Sequence, residues 1–135
     1  MPQQSFLEKL KHAPGSSFHV LDPVKAKRMK AKTLFIPSPE DVAKVISAIP
    51  QGETRTIVEL RRELAAGGNA ETACPAETIK YWKWLASAYA EVEGSGSIYE
   101  VPWWRVLKDG RLSRHMPGGI EGQAAFLRKE GVQVK

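Results

Sequence analysis

Residues 101–119 constrain what this chain can fold into more than any other stretch, and they read V-P-W-W-R-V-L-K-D-G-R-L-S-R-H-M-P-G-G. Two adjacent tryptophans, Trp103 and Trp104, follow a proline and precede an arginine. So specific a combination indicates a structural or functional role. Asp109-Gly110, between apolar residues on both sides, is a strong signal for a two-residue hairpin turn. We therefore expect the chain to be organised around this segment.

Helix-start signals occur ahead of this segment. Residues 38–41, Ser-Pro-Glu-Asp, combine a capping serine, a proline in the first turn and acids that favour the helix dipole. Residues 56–59, Thr-Ile-Val-Glu, form a capping-box pattern that predicts a second helix. Apolar spacing predicts a third helix from about Pro75 to Ala90, a strand at residues 98–101 and a terminal helix at residues 120–130.

Helices followed by a hairpin and a final helix are the order of a winged-helix module, whose third helix enters a nucleic-acid groove beside the hairpin, or wing. We therefore predict a mainly α fold with a small β-hairpin, a winged-helix-like DNA-binding domain, for residues 36–135. Residues 1–35 are predicted to be an irregular basic arm, with a short helix within residues 5–11. Within the arm, five of the eight residues 25–32 are basic: Lys25, Lys27, Arg28, Lys30 and Lys32. These cations either contact phosphates or form a solvated surface.

Size and composition fit one globular domain. A chain of 135 residues can bury a core without disulfides, and its single cysteine, Cys74, excludes an internal disulfide framework. A net charge of +5 suits a polyanionic partner. No apolar run has the length of a membrane span, and the first residues do not have the pattern of a signal peptide. We expect a cytoplasmic monomer without metal or other cofactor, because His12, His19 and His115 lack metal-ligand spacing.

Residues 102–106, Pro-Trp-Trp-Arg-Val, with Gly110 and the pair Gly118-Gly119, resemble the active-site segment of the alkylguanine-DNA alkyltransferases. That family has Pro-Cys-His-Arg-Val before a glycine-marked turn and a later Gly-Gly. Residues 49–52, Ile-Pro-Gln-Gly, resemble its Ile-Pro-x-Gly, and residues 130–131 resemble its terminal Glu-Gly. The resemblance covers about 100 residues, roughly residues 36–134.

The resemblance places Trp103 at the position of the alkyl-accepting cysteine and Trp104 at that of the activating histidine. Alkyl transfer needs a thiolate activated by a neighbouring base, and neither group is present there. The replacement of the cysteine by tryptophan is typical of the alkyltransferase-like branch, which binds alkylated DNA without repairing it. We therefore predict a protein that is not an enzyme. Glu130 matches the family glutamate that completes the network, and it either caps or pairs with Arg105.

The resemblance also implies contacts with duplex DNA, alkylated or not. Lys80, Lys83 and Ser87 would face the groove from the third helix, and Arg105, Lys108 and Arg111 would contact phosphates near the wing. Two features differ from the family. Ile57 occupies the place of a tyrosine that assists base rotation, and no arginine occurs between Pro75 and Ala90.

The two tryptophans and Glu130 are predicted to line a base pocket. An exposed tryptophan could stack on an extruded base, which is worth about 1–3 kcal/mol. We expect one tryptophan to stack and the other to pack, with packing of both as the alternative. Two other functions stay open. One is a protein-interaction module that has lost DNA binding and receives a partner's side chain in the aromatic pocket. The other is an enzyme of unknown chemistry that uses the pocket and Glu130.

Overall fold

The structure, a computed structural model, describes residues 5–133. It is a mixed α/β fold that is about half helical. The helices in the described residues are α1 (Phe6–His12), α2 (Pro23–Met29), α3 (Pro39–Ser47), α4 (Ile57–Gly67), α5 (Pro75–Val92) and α6 (Gly119–Lys129). The strands there are β1 (Ser17–Val20), β2 (Thr33–Ile36), β3 (Arg55–Thr56), β4 (Thr72–Ala73) and β5 (Val106–Leu107). None of the helices in this part of the chain is long and apolar enough to cross a membrane.

The predicted helix starts are confirmed by their caps. Ser38 and Asp41 form a reciprocal capping box at the start of α3, because each side chain accepts from the other residue's backbone N–H. Thr56 and Glu59 do the same for α4. These local hydrogen bonds satisfy amides that have no partner within the helix. Helix α5 begins at Pro75 as predicted, ends two residues beyond Ala90, and is the element against which α1, α3 and α4 pack.

The strands form two small sheets. In the first, the order is β1-β2-β4, with β1 antiparallel and β4 parallel to β2. In the second, β3 and β5 pair in parallel, with Arg55 opposite Val106 and Thr56 opposite Leu107. This pairing joins the start of α4 to the end of the tryptophan segment. The sequence patterns predict neither sheet.

The irregular course predicted for the N-terminal arm is wrong for its described part, residues 5–35; residues 1–4 lie outside the described residues. That segment contains α1, as the apolar pattern of residues 5–11 predicts, together with β1, α2 and most of β2. Helix α1 packs on α5, and its Leu10 is fully buried. The five cations of residues 25–32 lie on α2 and just after it, and all are exposed.

The strand predicted at residues 98–101 is also wrong, because the chain makes turns there. The Gly94 and Gly96 amides donate to the Glu100 carboxylate at 2.7 and 2.9 Å, which closes this loop upon itself. The two-residue turn at Asp109-Gly110 is confirmed. Both residues have positive φ, 53° and 73°, and Lys108 and Arg111 form an antiparallel bridge. The hairpin is this single bridge, because residues after Arg111 leave the ladder and enter turns.

Candidate functional site

Trp103 begins a single 3-10 turn, Trp103–Arg105, in which both tryptophans are buried. Pro102 sets its direction. With φ −75° and ψ 67°, it lets the Trp103 amide donate to the Val101 carbonyl at 2.8 Å, which is an inverse γ-turn. The Trp103 carbonyl accepts from the Trp82 indole at 3.0 Å, which ties the turn to α5. The Trp103 side chain is only 1% exposed. Its own indole N–H has no hydrogen-bond partner among the described residues.

Trp104 meets the Trp103 ring edge-on, with centroids 5.9 Å apart, and is 9% exposed. Its ring stacks on Phe126 of α6, with centroids 4.4 Å apart and planes 12° from parallel. Tyr89 of α5 meets it edge-on at 5.3 Å. Trp103 meets Phe126 edge-on at 5.5 Å. The four rings therefore fill the space between α5 and α6, and we call them the aromatic cluster.

Burial of both tryptophans contradicts the expectation that one of them is open for stacking on a base. The alternative, in which both pack, is the arrangement in the structure, because α6 supplies Phe126 as the ring on which Trp104 stacks. Two grooves of 690 and 500 Å³ lie elsewhere, and neither is lined by Trp103 or Trp104. A partner's side chain could enter the aromatic cluster only after these rings had moved.

Glu130, just beyond α6, holds the other side of the turn. Its carboxylate accepts from Arg105 Nε at 2.9 and 3.1 Å and also from Arg105 Nη2. It accepts from the Trp104 indole at 3.0 Å, and Arg105 Nη1 donates to the Ile49 carbonyl at 2.7 Å. The hydrogen bonds from Arg105 lower the pKa of Glu130 against the opposing effect of burial. Of the two roles expected for Glu130, capping or pairing with Arg105, the structure has the pairing.

This pairing directs the Arg105 guanidinium into the protein, where its side chain is 13% exposed. The resemblance predicts that Arg105 contacts phosphates, but all three of its nitrogens already donate to protein oxygens. In the folded arrangement Arg105 is a structural cation. It joins the tryptophan turn to the end of α3 through Ile49 and to the end of α6 through Glu130.

Gln123 of α6 is a site residue that the sequence patterns did not single out. It is fully buried, and its amide nitrogen donates to the carbonyls of Trp104 and Val106 at 3.1 and 2.8 Å. Its amide oxygen accepts from the Ser113 backbone at 3.1 Å. The sequence feature that could have indicated Gln123 is its position: it is a single amide side chain next to Ala124 and four residues before Leu127, in the apolar stripe of the terminal helix.

The α5 residues expected to face a DNA groove are partly covered. Lys80 forms an ion pair with Glu77 at 3.0 Å, and its ammonium lies 4.9 Å from the Tyr81 ring centroid and 5.1 Å from that of Trp84. Lys83 and Ser87 are half-buried. The most accessible cations near the site are instead on the turn that follows β5.

We call residues 108–115, which comprise that turn and the residues just after it, the basic turn. Its cations Lys108, Arg111 and Arg114 are exposed. None of the three forms an ion pair with a carboxylate in residues 5–133. The basic turn lines the 500 Å³ groove, and Arg111 also lines the 690 Å³ groove with Leu107, Leu112 and Ile120. The predicted site is thus divided into a buried cluster and an exposed cationic rim.

Cys74 precedes α5 as its capping residue and has intermediate exposure, far in the chain from the tryptophan turn. Within the described part of the chain, no group of three or more His, Cys, Asp or Glu side chains could hold a metal ion. In comparisons with protein-family models, with curated proteins and with solved structures, nothing matches this chain.

Proposed function

We propose that this protein is a non-enzymatic, alkyltransferase-like protein that binds duplex DNA on a winged-helix-like domain. The observation that carries the proposal is the basic turn. Lys108, Arg111 and Arg114 project cations that no described carboxylate neutralises, beside a groove and on a short two-residue turn. Exposed cations of this kind contribute to DNA binding by displacing counterions from phosphates.

The order of elements supports the domain type. Helices α3, α4 and α5 precede the basic turn, and β3, which lies between α3 and α4, pairs with β5 just before it. A winged-helix module has three helices followed by such a turn. The contact between Trp104 and Glu130 also supports the resemblance, which places a functional network between these two positions.

The resemblance supports a non-enzymatic role. It places Trp103, which is buried and has no thiol, at the position of the acceptor cysteine. Incubation with a guanine-alkylated duplex, followed by mass measurement of the intact protein, should show no added alkyl group. An alkyl adduct on Cys74 would contradict this part of the proposal.

Recognition of modified guanine is the narrower form of the proposal. Because Trp103 and Trp104 are packed, we expect phosphate contacts to dominate binding in the folded arrangement. A plain duplex and a matched guanine-alkylated duplex should then bind with affinities within about twofold of each other. A clear preference for the alkylated duplex would instead mean that the aromatic cluster opens to receive the base.

The test of the proposal is a titration of labelled duplex by anisotropy at several salt concentrations. The Lys108→Ala, Arg111→Ala variant should bind more weakly and lower the salt slope by about two units, since each lost phosphate contact removes about one. The Lys44→Ala, Arg62→Ala variant removes two exposed cations from α3 and α4 and is the matched control. Equal affinities and slopes for both variants would reject the basic turn as the DNA site.

The same titration tests α5. If Lys80 and Lys83 also contact phosphates, the Lys80→Ala, Lys83→Ala variant should have a salt slope about two units lower than that of the unaltered protein. The ion pair of Lys80 with Glu77 predicts a smaller change for the Lys80→Ala single variant than for Lys83→Ala. A loss confined to the α5 variants would move the DNA surface from the basic turn to this helix.

A further inference from the structure

Strand β1 is one of the two edge strands of the three-stranded sheet. The order β1-β2-β4 leaves one side of β1 without a partner strand in the described chain. All four of its residues, Ser17–Val20, are exposed. An edge of this kind offers unpaired backbone donors and acceptors to another extended chain.

The register shows which backbone groups are open. The Leu21 amide donates to the Lys32 carbonyl at 2.8 Å, one position beyond the β1–β2 pairs. Hydrogen-bonded pairs alternate along an antiparallel ladder, so His19 and Ser17 also bond inward to β2. The N–H and C=O groups of Phe18 and Val20 consequently point away from the sheet. They provide two donors and two acceptors on the open edge.

Two of the four side chains of β1, Phe18 and Val20, are exposed and apolar. Phe18 is 49% exposed and Val20 is 79% exposed, and Val24 at the start of α2 is 69% exposed. Proteins protect such edges with proline, lysine or a bulge, and β1 contains neither proline nor lysine. Phe18 and Val20 are two residues apart in a strand, so both side chains project from the same face of the sheet.

A concentrated positive charge follows this edge. Helix α2 begins three residues after the end of β1. The cations on α2 and immediately after it are exposed and form no ion pair with a carboxylate in residues 5–133, and they are Lys25, Lys27, Arg28, Lys30 and Lys32. Because Lys25 is only five residues after Val20, a chain that pairs with the end of β1 lies within reach of this positive charge.

We propose that the β1 edge binds an extended acidic peptide segment of a partner protein as a fourth strand. Backbone hydrogen bonds to Phe18 and Val20 hold the segment, apolar side chains at every second position cover those two residues, and carboxylates meet the α2 cations. This is recognition by strand addition, in which backbone bonds supply affinity and side chains supply specificity. It involves a surface separate from the basic turn.

The observations favour this occupant over two others. DNA would neutralise the α2 cations but would leave the backbone groups and apolar side chains of Phe18 and Val20 unused. A second copy of the chain could pair β1 with β1, but the pairing would bring two α2 helices with the same charge into one sheet. Like charges brought together in this way oppose association. An acidic strand satisfies the backbone, the apolar face and the charge together.

The experiment uses the full chain and a labelled eight-residue probe peptide of alternating glutamate and valine. A second peptide has the same side chains but carries an N-methyl group on every backbone amide, so it keeps its charge and has no backbone N–H to donate along either edge. We expect the first peptide to bind and the second to bind at least about tenfold more weakly. Equal affinities would mean that charge alone attracts the probe, and they would overturn the proposal.

Protein variants locate the site. Val20→Pro removes an outward N–H without touching the bonds to β2, a position at which an edge strand tolerates proline. Val20→Thr keeps that N–H and is its control. We expect Val20→Pro to weaken the probe about tenfold and Val20→Thr to change it less than about threefold. Equal effects of the two variants would overturn strand addition at this edge. If Val20→Pro fails to fold, the pair of peptides decides the question on the unaltered protein.

Charge reversal completes the test. Lys25→Glu, Lys27→Glu should weaken the probe about tenfold, whereas Lys44→Glu, Arg62→Glu on α3 and α4 should have a much smaller effect. Equal losses would overturn the role of α2. The same variants titrated with duplex DNA, and sedimentation of the protein at rising concentration, examine the other occupants. Loss of DNA binding only in the α2 variant, or dimerisation abolished by Val20→Pro, would assign this surface to DNA or to a second copy and overturn the proposal.

Discussion

Trp103 is the more deeply buried of two adjacent tryptophans, and its indole N–H has no acceptor among the described residues. Trp103→Ala removes the ring from the aromatic cluster and leaves a cavity, which should lower the free energy of unfolding by about 3–5 kcal/mol. Trp103→Phe keeps much of the ring contact and removes an unpaired N–H whose burial costs about 1–3 kcal/mol. We expect it to lose less than about 2 kcal/mol. Urea denaturation of both variants measures the difference.

Ile120→Ala is a suitable control for this pair of variants, because Ile120 is an exposed apolar residue on α6. It should change stability by less than about 1 kcal/mol. If Trp103→Ala were no more destabilising than Ile120→Ala, the ring would have to be accessible rather than packed. That result would return Trp103 to a role in stacking on a base.

Glu130 gives a prediction that depends on pH. Glu130→Gln removes the carboxylate that accepts from Arg105 and leaves a guanidinium poorly paired in a site where it is 13% exposed. The loss should be about 2–3 kcal/mol at pH 7. Glu121→Gln breaks an exposed pair with Arg128 on the same helix and should cost less than about 1 kcal/mol.

The sign of the pH effect follows from the lowered pKa of Glu130. A glutamate whose pKa is lower in the folded state stabilises the fold above its unfolded pKa and loses that contribution as the pH falls through the folded pKa. The stability difference between the wild-type protein and Glu130→Gln should therefore be full at pH 7. It should shrink progressively below the ordinary glutamate pKa of 4.5. Urea denaturation at a series of pH values measures it, and a constant difference would contradict the charge-based explanation.

At the scale of elements, α6 is attached to the tryptophan segment by Gln123. Gln123→Leu has similar volume but leaves the Trp104 and Val106 carbonyls and the Ser113 amide without this partner. We expect a loss of about 2–4 kcal/mol, because unsatisfied buried groups cost more than a hydrogen bond contributes. In the folded variant, amide hydrogen exchange at Ser113 should be faster than in the unaltered protein, whereas exchange in α3 should change less. Unchanged protection at Ser113 would mean that water replaces the lost acceptor.

Helix starts could be predicted from sequence because their determinants are local. The side chains of Ser38 and Thr56 bond to amides three residues away, so the pattern carries its own geometry. The strand predicted at residues 98–101 failed for the opposite reason. Ile98 is exposed, and Glu100 bonds to the preceding glycine amides instead of a partner strand. Strand β5 instead pairs with β3, about fifty residues earlier, and no local pattern specifies such a partner.

Only part of the candidate site could be predicted from the sequence. The pairing of Arg105 with Glu130 was one of two options for that glutamate, and the structure selects it. Burial of both tryptophans could not be predicted, because it depends on Phe126 and Tyr89, which reach the cluster from two other helices. The position of Arg105 could not be predicted either, because a cation that would be exposed in an isolated turn is internal here. Its acceptors, the Ile49 carbonyl and the Glu130 carboxylate, come from just after α3 and α6.

At the scale of the whole molecule, the first 35 residues matter for stability as well as for charge. Leu10 is fully buried where α1 packs on α5, and Phe35 of β2 is buried beside β4. Leu10 lies on the helix that packs against α5, and α5 also supports Trp103 through Trp82. The N-terminal segment is thus coupled to the tryptophan turn through α5.

This coupling predicts the behaviour of a truncated protein that begins at residue 36. It lacks α1, β1, α2 and nearly all of β2, so α5 loses its cover and β4 loses its partner strand. Leu10→Ala alone should cost about 2–5 kcal/mol, a large share of the roughly 5–15 kcal/mol that stabilises a domain of this size. We therefore expect the truncated protein to unfold without a cooperative transition or at a much lower temperature, measured by circular dichroism and calorimetry. Val20→Thr, an exposed change in the same segment, should leave the transition within about 2 °C of the full chain. A truncated protein that unfolded cooperatively at the temperature of the full chain would instead mean that residues 36–135 fold alone and that the N-terminal segment is an appended arm.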